Sequence, residues 1–218
     1  MIKAVYLDLD GTTVSTIPSL AYSGNRALES VGLKGRPEEE YKYFAGDGAR
    51  NIIKRALKAA GDTELTKFDA AFAAYSEIFK DGCLYHVSAY DGMKEFLDTV
   101  KAKGIKIAVI SNKQHPMTKR VIETVYGQGY FDAILGQMDS IAKKPDPEGC
   151  HILNEHFGIA PADVMYVGDT NTDMMTGKNA RAFTVGVTWG FRPREELEEC
   201  RPDAIVDAPL EMLHYIGA

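Results

Sequence analysis

The sequence predicts an α/β protein, a doubly wound parallel sheet with a helical module inserted after its first strand. Three observations carry that prediction. Ile2-Lys3-Ala4-Val5-Tyr6-Leu7 is a β-rich run that leads straight into Asp8-Leu9-Asp10-Gly11-Thr12. Residues 18–81 then show helical spacing only. From Tyr90 onward, short apolar runs alternate with helical stripes, the pattern of parallel strands covered on both faces.

Taken in order, Leu20, Ala27, Leu28 and Val31 form the first helical stripe, which stops at Gly32. Residues 38–44 read as a short helix after Pro37. Ala49, Ile52, Ile53, Ala56, Leu57 and Ala60 make a third stripe ending at Gly61. Leu65, Phe68, Phe72, Tyr75 and Phe79 make a fourth, closed by Asp81-Gly82. Four helices without a strand imply a separate module over residues 15–85, leaving 1–14 and 86–218 for the α/β core. In that core, Met93, Phe96, Leu97 and Val100 mark a helix ended by Gly104, and residues 105–110 a strand ending at Ser111-Asn112. A helix through Met117, Val121 and Val125, a strand over 131–135 and a helix over 148–157 follow. Residues 164–167 are a strand ending at Gly168-Asp169, 172–179 a helix, 182–187 a strand, and 203–206 an edge strand.

The 218 residues, 45% hydrophobic and 26% charged, suit a globular protein with one well-filled core. A net charge of −6 argues against a nucleic-acid or anionic-membrane partner. Three scattered cysteines suggest neither a zinc site nor a disulfide framework. With no signal-peptide pattern and no apolar run of membrane-spanning length, a cytoplasmic protein is expected. No interface stripe stands out, so the oligomeric state is left open.

In an open parallel sheet, functional groups gather beyond the carboxyl ends of the strands, where strand order reverses. Here those ends carry Asp8, Asp10, Ser111, Asn112 and Asp169. A strand order of 3-2-1-4-5 makes the strands of Asp8 and Asp169 neighbours. On a strand, Asp8 and Asp10 would share a face, and two such carboxylates need a proton or a cation between them. A polar turn accounts for Asp10-Gly11 but leaves Asp8 at the end of an apolar strand unexplained. Mg²⁺ fits best: Asp8, a backbone carbonyl near Asp10, and Asp169 could supply its oxygens, with Asp173 one turn further on in support. No histidine or cysteine accompanies them, which disfavours zinc and copper. Phosphoryl chemistry also needs a fixed cation. Lys144, in the proline-stiffened Lys143-Lys144-Pro145-Asp146-Pro147, is the candidate, although a solvated lysine pair would look the same. Thr12 and Ser111 add hydroxyls, and the amide after Ser111, that of Asn112, adds a donor.

Asp8-Leu9-Asp10-Gly11-Thr12, Ile110-Ser111-Asn112-Lys113, Lys144-Pro145 and Gly168-Asp169-Thr170-Asn171-Thr172-Asp173, in that order, resemble the haloacid dehalogenase-like (HAD) hydrolase superfamily, whose core is Rossmann-like. The helical insertion resembles its C1 cap. Gly46-Asp47-Gly48-Ala49-Arg50 with Lys54-Arg55-Ala56-Leu57 is similar to the cap of phosphoglycolate phosphatase-like members. The resemblance implies a Mg²⁺-dependent phosphatase acting on a small phosphorylated metabolite. Asp8 would be the nucleophile that becomes an aspartyl-phosphate, and Asp10 the acid and then the base. Ser111 and Lys144 would hold phosphate oxygens, with Thr12 and Asn112 beside them. Asp8, the Asp10 carbonyl and Asp169 would hold the metal, supported by Asp173. The cap would close over the core on hinges near residues 13–17 and 82–90, with Asp47 or Arg50 reading the substrate; a plain surface role is the alternative for Arg50.

Asp10 argues for ester hydrolysis and against dehalogenation. A sugar phosphomutase is the alternative within the superfamily, weakened by Leu20 where such mutases have histidine and by a missing Lys-Gly-x-Ser-Arg pattern. A receiver-like signalling domain phosphorylated on aspartate is the alternative from another class, and it would have no use for a lid.

Overall fold

Ala4–Leu7 (β1) is completely buried and pairs in parallel with a strand on each side, Lys106–Gln114 (β4) and Val164–Gly168 (β6). The computed structural model of the chain describes residues 1–217. Ala133–Gln137 (β5) extends the sheet beyond β4, and Phe183–Val187 (β7) and Ala204–Val206 (β8) extend it beyond β6. The order is β5-β4-β1-β6-β7-β8, with every neighbouring pair parallel. This is the doubly wound α/β sheet that the alternating pattern predicts, with its reversal at β1 and β6.

Burial on both faces explains the continuous apolar runs. Ala4, Tyr6, Ala108, Ile110, Val164 and Tyr166 pack together with Cys150 and Leu153 of the helix Glu148–Phe157. The Tyr6 hydroxyl avoids an unpaired burial by donating to Asn154 Oδ1 at 2.9 Å. Helices Met93–Ala102, His115–Tyr126 and Asn171–Asn179 complete the main crossovers. The cysteines are free thiols.

The chain divides into two compact units: Met1–Ser15 with everything from Ala89 onward, and Thr16–Ser88. The second unit is helical, built from Ile17–Ser30 (α1), Glu40–Phe44 (α2), Ala49–Ala59 (α3) and Phe68–Gly82 (α4). Val14–Ser15 and Ser88–Ala89 pair as a two-stranded ribbon (β2, β3). Within the helical unit α4 begins at Phe68, later than the stripe from Leu65 suggests. Asp62 is the reason: its carboxylate accepts the amides of Thr66 and Lys67 at 3.0 and 2.9 Å. That side chain makes a turn of residues 62–67 in place of helix. Among the described residues no helix is long and apolar enough to cross a membrane.

Two further differences concern the core unit. β4 runs on to Gln114, well past Ser111, with a register shift against β5. A short helix, Arg194–Glu199, and a 3-10 helix, Pro209–Tyr215, occupy a tail whose few apolar residues gave no clear periodicity.

Candidate active site

β1 stops at Leu7, but the Asp8 amide still donates to Val167 carbonyl at 2.9 Å, which ties Asp8 to β6. The chain then folds back at once. Thr13 and Val14 amides both donate to Leu9 carbonyl, and Gly11 amide to Val14 carbonyl. Gly11 has φ of +86°, and a Cβ there would lie 2.8 Å from Asp169 Cγ, so glycine is required twice over. This tight loop changes one expectation. Asp8 and Asp10 are not paired side by side as successive outward positions of a strand, because the strand has already ended. Asp8 faces the Lys144 ammonium at 2.8 Å, whereas Asp10 forms an ion pair with Lys113.

Lys144 is the hub. Its side chain is 4% exposed and its Nζ sits 2.7 Å from Asp173 Oδ1 as well as against Asp8 Oδ1. The contact with Asp8 has an ion-pair distance without hydrogen-bond geometry, so it is one of charge. Asn112 fixes the lysine from behind: its amide donates to Lys144 carbonyl at 3.2 Å and its Oδ1 accepts the Lys144 amide at 3.0 Å. Lys143, its neighbour, is exposed.

Asp173 is itself held. It is the N3 residue of a capping box on Asn171–Asn179, exchanging hydrogen bonds with Thr170 at the N-cap. Asp169 receives the Thr12 hydroxyl on Oδ1 and the Phe191 amide on Oδ2, each at 2.7 Å. Trp189 Nε1 donates to Thr12 carbonyl at 3.0 Å, so the segment after β7 grips both the loop after β1 and Asp169. The side chains of Thr12 and Asn112 are thus turned to Asp169 and to the Lys144 backbone.

The electrostatics follow from burial. One carboxylate oxygen from each of Asp8, Asp169 and Asp173 lies within 4.8 Å of the others, and all three residues are buried. Burial pushes the Asp8 carboxyl well above the ordinary range; Lys144 opposes this, and Asp173, Asp169 and Asp10 add to it. Asp169 is pushed up to about 7 by burial and by Asp173, against the Phe191 and Thr12 donors and Lys144. Burial alone would lower Lys144, but Asp173 and Asp8 outweigh it and hold the ammonium charged. Carboxylates crowded this way call for a divalent cation. The all-oxygen donor set and the spare charge fit Mg²⁺.

Ser111 is buried, and its Oγ accepts the Lys113 amide at 3.2 Å. Lys113, Thr170, Tyr166, Trp189 and the Phe191 amide complete the site and were not among the expected residues. Thr170 was legible as a capping box, Thr-x-x-Asp ahead of a helix. Lys113 follows Ser111-Asn112 directly, and a cation there was a signal in itself. The Phe191 amide left no trace, being backbone.

Asp47 and Arg50 belong to the helical unit. Asp47 forms an ion pair with Arg55, and the Arg50 guanidinium stacks over Phe68 and Phe72 at 4.8 and 4.9 Å from the ring centres.

A doubly wound sheet with buried acids beyond β1 and β6, and a lysine between them, defines a class of hydrolase. A family model described as haloacid dehalogenase-like hydrolase matches residues 5–187, and the chain belongs to that family. It is 32% identical over 222 residues to the phosphoglycolate phosphatase of Haemophilus influenzae strain Rd, covering 98% of each chain. It is 30% identical over 212 residues to that of Neisseria gonorrhoeae, covering 95% of this chain and 90% of the relative. The crystal structure of a predicted phosphoglycolate phosphatase from Haemophilus somnus superposes with a TM-score of 0.91 at 27% identity, over 99% of this chain and 98% of that one. Within the family this is a phosphoglycolate phosphatase-like hydrolase, a phosphatase in class.

Proposed function

We propose that the protein is a Mg²⁺-dependent phosphatase that hydrolyses phosphoglycolate, or a phosphomonoester close to it, through an aspartyl-phosphate on Asp8. The observation that carries this reading is the Lys144 ammonium, 2.8 Å from Asp8 and 2.7 Å from Asp173, deep beside a buried carboxylate that no structural need explains. The phosphoglycolate end of the reading rests on the relatives that carry that name.

In this reading an Asp8 oxygen attacks phosphorus, the bond from phosphorus to the leaving oxygen breaks, and the Asp10 carboxyl gives that oxygen its proton. A water then attacks the phosphorus, Asp10 takes up its proton, and the bond to Asp8 breaks to free inorganic phosphate. Lys144 and Ser111 hold the non-bridging oxygens, and Asn112 keeps the Lys144 backbone in place. Asp8, Asp169 and the Asp10 carbonyl would hold Mg²⁺, which when bound neutralises charge on the phosphoryl oxygens. Thr12 and the Phe191 amide orient Asp169 for that task, and Asp173 anchors Lys144.

The test is phosphate release from a panel of small phosphate esters, with Mg²⁺ and with chelator, for the wild type and Asp8→Asn. Release that requires Mg²⁺ and is abolished in the variant, with an unchanged far-UV CD spectrum, is expected. Full activity in Asp8→Asn would sink the assignment, and an isomerised sugar phosphate without free phosphate would mark a mutase.

A further inference from the structure

Two aromatic side chains of the core unit hold the loop after β1 from outside. Trp189 Nε1 donates to the Thr12 carbonyl, and one residue further along the Tyr126 hydroxyl donates to the Thr13 carbonyl at 2.7 Å. Tyr126 is the last residue of the helix His115–Tyr126. Its ring is fixed on two sides: Tyr130 stacks on it with ring centres 5.3 Å apart, and Phe131 meets it edge-on at 5.5 Å. Burial, with Tyr130 beside it, pushes the phenol above its ordinary value, so the hydroxyl keeps the proton it donates. Thr13 has no exposure, so its carbonyl has no water to turn to if that hydroxyl is lost.

Thr13 is the residue on which the loop closes. Its amide donates to the Leu9 carbonyl at 3.1 Å and its hydroxyl to the Asp8 carbonyl at 2.5 Å. Val14, next to it, forms an isolated β-bridge with Asp10 and accepts the Gly11 amide. Asp10 is thus suspended between two anchors, β1 on one side and Thr13 on the other. Asp8 is secured separately, by its amide on the Val167 carbonyl and by the charge of Lys144. Loosening the Thr13 end therefore reaches Asp10 before it reaches Asp8.

We infer that Tyr126 is a positioning residue for the proton transfers of Asp10: its hydroxyl, acting through the Thr13 carbonyl, keeps the loop of residues 8–14 in the arrangement that aims that carboxyl. A ring without the hydroxyl would fill the same space and leave the loop free to shift, and a reacting group displaced by a fraction of an ångström loses rate. The inference rests on the phosphatase reading and on Asp10 as the acid for the leaving oxygen.

The experiment measures kcat/KM for an alkyl phosphate, 2-phosphoglycolate or the best alkyl ester of the panel, and for p-nitrophenyl phosphate. It does so in the wild type, Tyr126→Phe and Tyr130→Phe. An alkoxide must be protonated as it leaves, whereas p-nitrophenolate departs without help. A misplaced acid therefore lowers kcat/KM for the alkyl ester on the order of tenfold in Tyr126→Phe, and by at least about threefold more than for the p-nitrophenyl ester. A purely structural role would lower both alike or neither, so a difference below threefold overturns the inference. Tyr130→Phe removes only the hydroxyl that donates to Asp98 and should leave both substrates near wild type; the same selective loss there would overturn the inference by tracing it to the aromatic cluster. Amide exchange at Gly11 and Val14, whose hydrogen bonds close the loop, should quicken on the order of tenfold in Tyr126→Phe, and unchanged exchange overturns the inference as well. Wild-type turnover of p-nitrophenyl phosphate with no alkyl ester accepted would show that no acid serves the leaving oxygen, which overturns it and leaves the phosphatase reading standing. No turnover of any ester refutes that reading and this inference with it.

Discussion

Gly190 is where one added carbon reaches the site most directly. A Cβ at this position would lie 2.5 Å from Asp169 Cγ and closer still to Asp169 Cβ, whereas ordinary contact begins near 3.4 Å, so Gly190→Ala forces a displacement of at least about 0.9 Å. Asp169 has little freedom to absorb it, being held by the Thr12 hydroxyl and by the amide of Phe191, the very next residue. The displacement therefore breaks or lengthens the Phe191 bond, a contact to a charged group worth roughly 1.5–3 kcal/mol. A misplacement near 1 Å costs about 10²-fold in rate. Gly190→Ala should thus lower kcat/KM about 10²-fold and raise the Mg²⁺ concentration for half-maximal activity at least tenfold. Far-UV CD should stay native, because the added methyl meets the site and no core helix. The assay is p-nitrophenyl phosphate hydrolysis across a Mg²⁺ titration, paired with the Mg²⁺-dependent rise in Tm, which reads binding without turnover. A variant within threefold of the wild type in both measures would show that Asp169 is not positioned by this segment.

Two other outcomes follow from the same charges. Lys144→Met leaves Asp8 and Asp173 buried without their counter-charge, a loss of about 3–5 kcal/mol, so Tm should fall by on the order of 10 °C; a shift under 2 °C by calorimetry would contradict the hub described for Lys144. For metal-free protein, the carboxyl of Asp169 is raised from 3.8 to about 7, so the stability it contributes is full below the unfolded value and is lost as pH climbs toward 7. Asp8 shifts in the same direction. The carboxylates lowered by surface partners, Glu40, Asp62, Asp98, Asp163 and Asp207, act below this window. The unfolding free energy of chelated protein, read from urea titrations, should therefore be higher near pH 5 than near pH 8, by a few kcal/mol at most, and Mg²⁺ should narrow the gap. A higher midpoint at pH 8 without metal would refute the burial argument.

Much of this was legible in the residue order because the sheet is buried on both faces. Apolar runs such as Ala4-Val5-Tyr6-Leu7 and Val164-Met165-Tyr166-Val167 must be central strands, and polar residues at their ends must then sit together where the order reverses. Side-chain type was enough to place Asp8, Asp169 and Lys144 at that point. Direction was not legible. Whether Asp10 lies beside Asp8 or turns to Lys113 depends on a loop closed by backbone hydrogen bonds to Leu9 and Val14, which no side-chain pattern encodes. The reach of β4 through Lys113 was hidden for a similar reason: Ser111, Asn112 and Lys113 are poor strand formers, and pairing with β5 at Ser111 and Gln114 carries the strand across the unpaired Asn112 and Lys113.

The same distinction explains why a site so unfavourable to folding survives in this core. Asp169 and Asp173 are fully buried acids, and each is walled in by glycine backbone. A Cβ at Gly11 would lie 2.8 Å from Asp169 Cγ, one at Gly190 2.5 Å from the same atom, and one at Gly168 2.8 Å from Asp173 Oδ2. Close backbone approach brings amide donors, such as that of Phe191, where a side chain would bring only bulk. The carboxylates are thus kept in one orientation in part by backbone amides, those of Phe191 and Thr170, that cannot titrate or rotate away, and their mutual repulsion has little room to relax. The repulsion then favours either a shared proton or a divalent ion, and a proton bound at Asp169 must leave when the ion enters. In the proposed enzyme the affinity for the ion would accordingly be set by backbone that holds the acids too close together, and only secondarily by the number of acids.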